Sequence, residues 1–166
     1  MRVETMRKKC GGNSNNQRRH GCLPGDTSDS AFAIFLSHLS EAYALLGKFD
    51  EASRCVREAT NAIKVSNERW FEADVNRTVG ELALKSPKPD AAKAEAYFER
   101  ALSVARQQHA KSLELRAAMS LARLWRSQGK PQQARELLAP VYGWFTEGLD
   151  TSDLQQAKAL LDELAQ

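Results

Sequence analysis

The chain has 166 residues, 27% of them charged and 42% hydrophobic, enough for one ordinary domain and too few for two full-sized ones. Its formal charge of +3 lies entirely in residues 1–29, where Arg2, Arg7, Lys8, Lys9, Arg18 and Arg19 face three acids, Glu4, Asp26 and Asp29; positions 30–166 keep 18 of the 24 basic and 18 of the 21 acidic residues. A neutral body argues against a nucleic-acid-binding domain, which carries its charge on a folded face, and no run approaches the roughly 18 apolar residues of a membrane-spanning helix.

Residues 1–29 are rich in Gly, Asn, Ser and Arg with almost nothing apolar to bury, which predicts a disordered basic tail. Cys10, His20 and Cys22 within it match no zinc-ligand spacing and lack a fourth ligand, so they read as ordinary free residues. The run Ala31–Leu36 follows the Arg18-Arg19 pair but is too short for a signal-peptide core, and no cleavage site of small residues follows it. Its apolar residues continue at helical spacing through Phe32, Phe35, Leu36, Leu39, Tyr43 and Leu46, which predicts the first amphipathic helix of a cytoplasmic protein. Three cysteines cannot all pair within one chain, and Cys55 falls in a helical pattern; reduced thiols are expected.

From Ser30 onward helical periodicity is nearly continuous, and breakers cut it into about seven helices. Gly47–Asp50 is the first turn, with Asp50 predicted to cap the next helix. Softer breaks fall near Asn67 and at 110–112. Ser86–Asp90 is a second turn whose Asp90 caps the helix from Ala91, and Gly129–Pro131 a third, with Pro131 at the first helical position where its missing N–H is harmless. After Pro140, Gly143 and Gly148 comes a last helix, capped by Thr151 or Ser152, with Leu154, Ala157, Leu160, Leu161 and Leu164 as its apolar stripe. The fold class is therefore all-α, with helix pairs at about 30–66, 68–109 and 112–146 and a capping helix at 152–165.

An internal repeat organises these helices. Tyr43-x3-Gly47-x4-Ala52-x6-Ala59 recurs as Trp125-x3-Gly129-x4-Ala134-x6-Val141, offset by 82 positions, with Ala94-x3-Phe98-x2-Ala101 between them. Glycine supplies the left-handed residue that ends a helix, and alanine lets the next helix approach closely. This pattern resembles the tetratricopeptide repeat in a long variant of about 40 residues, which implies an α-α superhelix of about three helix pairs plus the capping helix. The wording of Ser112–Trp125, Leu138–Gly148 and Ala157–Leu164 is in turn similar to the C-terminal helical-repeat region of large bacterial signalling ATPases, of the adenylate/guanylate cyclase or transcription-regulator type. That resemblance implies a regulatory or scaffolding arm. The ATPase and cyclase parts have no counterpart in this chain, so no catalytic residue is carried over.

Chemistry is sparse. Lys111-Ser112 has the last two letters of a phosphate loop without its glycines, and the histidines lie in no triad wording. His38 and Glu41, one turn apart, read as a polar neighbour pair more readily than as an acid/base pair. No catalytic, cofactor-binding or metal-ligating residue is assigned, and a non-catalytic protein-protein interaction module is the function expected.

In stacked helix pairs the first helices line a concave face. On the third of them Arg116, Met119, Arg123 and Arg126 form a stripe away from the packing residues; its arginines either receive acidic groups of a protein or peptide partner or, the slightly favoured reading, are simply solvated or paired with neighbours such as Glu136. The equivalent stripes hold Asp74, Arg77 and Glu81 in the second pair, and Ile34, Ser37, His38 and Glu41 in the first. Phe32, Ile34, Phe35, Leu36 and Leu39 give the first helix a broader apolar surface than one neighbour covers, which is expected to be met either by further repeats upstream or by self-association. The competing function, binding of nucleic acid or an anionic surface through the basic tail, is disfavoured because the tail lacks interleaved aromatics.

Overall fold

The computed structural model describes residues 29–66 and 69–165, so apart from Asp29 the tail, with Cys10, His20 and Cys22, lies outside the described residues. Among the described residues there are seven α-helices and no strands: α1 (Asp29–Leu45), α2 (Phe49–Ser66), α3 (Glu72–Lys85), α4 (Ala91–Gln107), α5 (Lys111–Ser127), α6 (Pro131–Gly143) and α7 (Ser152–Glu163). Consecutive helices pack together, and each odd-numbered helix also touches the next odd-numbered one; among the described residues no other helices meet. Hence α1, α3, α5 and α7 form a row, and α2, α4 and α6 stand against it without touching one another.

The turns follow the expected chemistry at most positions. Gly47 and Gly129 adopt φ of +72° and +75°, with the N–H after each reaching back to the carbonyls of Tyr43 and Trp125 at 2.9 Å. The same ending recurs at α4, where His109 takes φ +54° and the Ala110 N–H reaches the Ala105 carbonyl, also at 2.9 Å. Asp90 caps α4 by accepting the Lys93 N–H at 2.9 Å, and Pro131 opens α6. Asp50 is not a cap. The helix already runs from Phe49, so Asp50 lies in its first turn, where its charge favours the helix dipole. Thr151 takes the cap position of α7 without a side-chain bond, and α6 continues through Pro140 to Gly143.

Burial on α1 departs from the hydropathy pattern. Ala33, Leu36, Ser37 and Ser40 face inward, whereas Phe35 is 62% exposed and Leu46 also faces out. The inward serines are held by polar contacts: Ser37 Oγ and Thr78 Oγ1 lie 2.9 Å apart across α1 and α3, and Ser40 Oγ donates to the Ala52 carbonyl at 3.0 Å. Small hydroxyl side chains permit close helix approach once their hydrogen bonds are satisfied. Further along, Trp125 packs between the core formed by α4 to α7 and that of Phe98, and its indole N–H donates to Glu95 at 2.6 Å. Glu95 therefore joins α4 to α5 through Trp125. Each large apolar side chain buried in these layers, such as Leu115 or Leu138, contributes roughly 1.5–3 kcal/mol.

Candidate functional site

The row of odd-numbered helices gathers the side chains singled out in the sequence, and nearly every one meets a partner on its own or the adjacent odd-numbered helix. Arg77 stands between α1 and α3. Its Nε lies 3.0 Å from Asp74 Oδ1 and its Nη2 2.9 Å from Glu41 Oε1, which also accepts from Thr78 at 3.4 Å. Asp74 is almost fully buried, and its Oδ2 has no hydrogen-bond partner among the described residues. Burial opposes the charge on Arg77, but the Asp74 and Glu41 carboxylates outweigh it and hold the guanidinium above its ordinary pKa. His38 Nδ1 lies 3.9 Å from Glu41 Oε2 on the exposed edge, beyond hydrogen-bond reach.

Between α3 and α5, Ser120 donates to Glu81 at 2.8 Å, and Glu81 also faces Lys85 at 3.9 Å. The arginine stripe of α5 then meets α7. Arg116 Nε pairs with Asp153 Oδ2 at 2.7 Å, Arg123 Nη2 donates to Gln156 at 3.1 Å, and Arg126 pairs with Glu163. Arg123, Arg126, Gln156 and Glu163 line a crevice of about 210 Å³ between the two helices. The three arginines thus share one face of α5, and the acidic groups set against them belong to the last helix of the same chain. Met119 differs from expectation: at 3% exposed it belongs to the core and does not reach the face.

Asp153, Gln156 and Glu163 are the members of this face that the sequence reading passed over. Their signal was available, since positions 153, 156 and 163 fall on one side of a helix. Reading α7 as a polar cap hid its role as the neighbour of α5. Next to this face, Glu114 lies buried at the start of α5 with Arg106 at 2.9 Å and Lys111 at 2.8 Å. Burial pushes its carboxyl up, and the hydrogen bonds and charge of these two cations override that, leaving it below its ordinary pKa. Glu72, hydrogen-bonded by Arg69 at 2.6 Å and approached by Arg100 at 3.5 Å, is lowered in the same way, the Arg69 bond being the main cause.

Chemically the face presents ion pairs and hydroxyl contacts within and between neighbouring helices. Among the described residues no three His, Cys, Asp or Glu side chains gather as a metal-ligand group, and no helix is long and apolar enough to cross a membrane. The chain matches no protein-family model and no curated protein.

Proposed function

We propose that this chain is a non-catalytic interaction module of tetratricopeptide type, serving as a regulatory or scaffolding arm of a bacterial signalling system in the cytoplasm. One observation carries the reading: Ala52, Ala94 and Ala134, spaced 42 and 40 positions apart in the three even-numbered helices, are each 0% exposed. Equal burial of small residues at intervals near 40 is what stacked helix pairs require, because each pair must admit its neighbour at the same point. The partner surface is the row of odd-numbered helices, with Arg116, Arg123 and Arg126 as its cationic part, and a protein segment bearing acidic groups competes with α7 for them.

The test is capture of protein partners from a cell extract by the full chain, compared with its R116E/R123E variant. Loss of specific partners in the variant is expected. A second variant, R116D/D153R, rebuilds the internal pair with its charges exchanged and separates partner recognition from docking of α7. Capture unchanged in both variants removes the arginine stripe as the partner surface.

A further inference from the structure

Where α2 and α4 both pack on α3 they do not touch each other, and the space between them is a crevice of about 720 Å³. Its apolar lining comes from Val56 and Ile63 of α2 and Val75 of α3, which are buried, and from Val79 and Leu82 of α3, which are half-buried and present the open part of it; Thr60 and Asn76 line it too. Its rim is cationic: Arg57 and Lys64 come from α2, Lys88 from the loop, and Lys93 and Arg100 from α4. The two carboxylates that line it are already engaged, Glu72 by Arg69 and Arg100, and Asp90 by the Lys93 backbone N–H. Arg57, Lys64, Lys88 and Lys93 form no ion pair among the described residues.

We infer that this crevice is a docking site for an acidic amphipathic helix of a protein partner, separate from the face of the odd-numbered helices. Charge excludes a basic occupant, including residues 1–28 of the chain itself, which carry six Lys/Arg against Glu4 and Asp26. The apolar part of the lining selects against a bare anion, because an ion seated there would leave the half-buried Val79 and Leu82 in contact with water or with a charge. A helix whose apolar stripe meets that part while flanking carboxylates reach the two walls satisfies both features, in the helix-in-groove manner. The lining of α2 runs from Ser53 to Lys64, about 16 Å at the rise of an α-helix, which accommodates roughly three turns of ligand. The site stands whether or not the odd-numbered helices bind a partner.

The test uses the full chain and a labelled synthetic peptide of three to four helical turns, with leucines at helical spacing on one face and glutamates elsewhere, read by fluorescence anisotropy. Binding that weakens steeply with added salt is expected, and R57E/K93E, which reverses one charge on each wall, weakens it at least about tenfold. R57Q/K93Q guards against misfolding and gives a smaller loss in the same direction, while R135E on α6 leaves binding unchanged. V79D weakens binding through the apolar part of the lining. Equal binding of a scrambled peptide of the same composition, or of its lysine counterpart, overturns the proposal. So does displacement of the peptide by tripolyphosphate at equal charge concentration, which marks a bare anion site, and so does binding indifferent to R57E/K93E.

Discussion

Gly80 of α3 faces the ring of Phe98 of α4 so closely that a Cβ on Gly80 would lie 2.5 Å from Phe98 Cε1. Phe98 is fully buried among Ala83, Ala94, Leu121 and Leu124, so its ring has no room to withdraw. Gly80→Ala gains up to about 1 kcal/mol of helix propensity, whereas forcing an extra carbon into a filled core costs about 1–3 kcal/mol. A net loss of about 1–2 kcal/mol is expected, visible as a lower Tm. In a Phe98→Leu background the same substitution becomes neutral or stabilising; a higher Tm for Gly80→Ala in the parent chain contradicts the close contact.

Arg77 and Asp74 differ in how much the fold depends on each partner. Removing Arg77 leaves the Asp74 carboxylate buried and unpaired, so Arg77→Ala should cost about 3–5 kcal/mol. Glu41 retains solvent contact, and Glu41→Gln should cost at most about 1 kcal/mol. Arg77→Met combined with Asp74→Leu should recover most of the loss, because an apolar pair replaces the buried charges. Urea unfolding of the four chains checks the order.

His109 takes the left-handed position that glycine fills at Gly47 and Gly129. A side chain there costs about 1–2 kcal/mol of backbone strain. His109→Gly is therefore expected to raise Tm by about 2–4 °C after the added freedom of the unfolded chain is subtracted. Gly47→Ala and Gly129→Ala should lower it by a similar amount. Among the described residues nothing lies within 4 Å of a Cβ at either glycine, so the expected loss comes from backbone strain.

Acid should unfold the chain partly through Glu114 and Glu72, whose carboxyls are held below their ordinary pKa of 4.5 in the folded protein. The unfolded chain binds their protons first, so the stability these groups provide is complete above pH 4.5 and is lost as pH falls below it. Glu114→Gln should flatten the fall in stability below that pH, with a loss on the order of 1 kcal/mol at neutral pH. Denaturation measured from pH 7 down to pH 3 tests the slope; an unchanged slope removes Glu114 from the account.

Much of the architecture was legible because it is local. Gly47, Gly129, Asp90 and Pro131 each act within one turn of the chain, and the alanines report their packing through spacing alone. What the sequence hid depends on distant neighbours. Ser37 and Ser40 look like solvent positions until Thr78 and the Ala52 carbonyl supply their partners, so the inward face of α1 was misread toward Phe35 and Leu46. Glu95 reads as a surface acid until Trp125 arrives 30 positions later. The arginine stripe was visible, but periodicity within α5 carries no information about the Asp153, Gln156 and Glu163 set against it.

The restriction of contact to adjacent helices has a mechanical consequence. Among the described residues no interface closes the row on itself, so the stability of these helices is a sum of neighbouring couplings and they behave as a short one-dimensional lattice. A disturbance at α7 reaches α1 only by passing through α5 and α3, growing weaker at each boundary. Amide exchange should accordingly advance from the termini inward and be slowest in α3 to α5, where every helix is held from both sides.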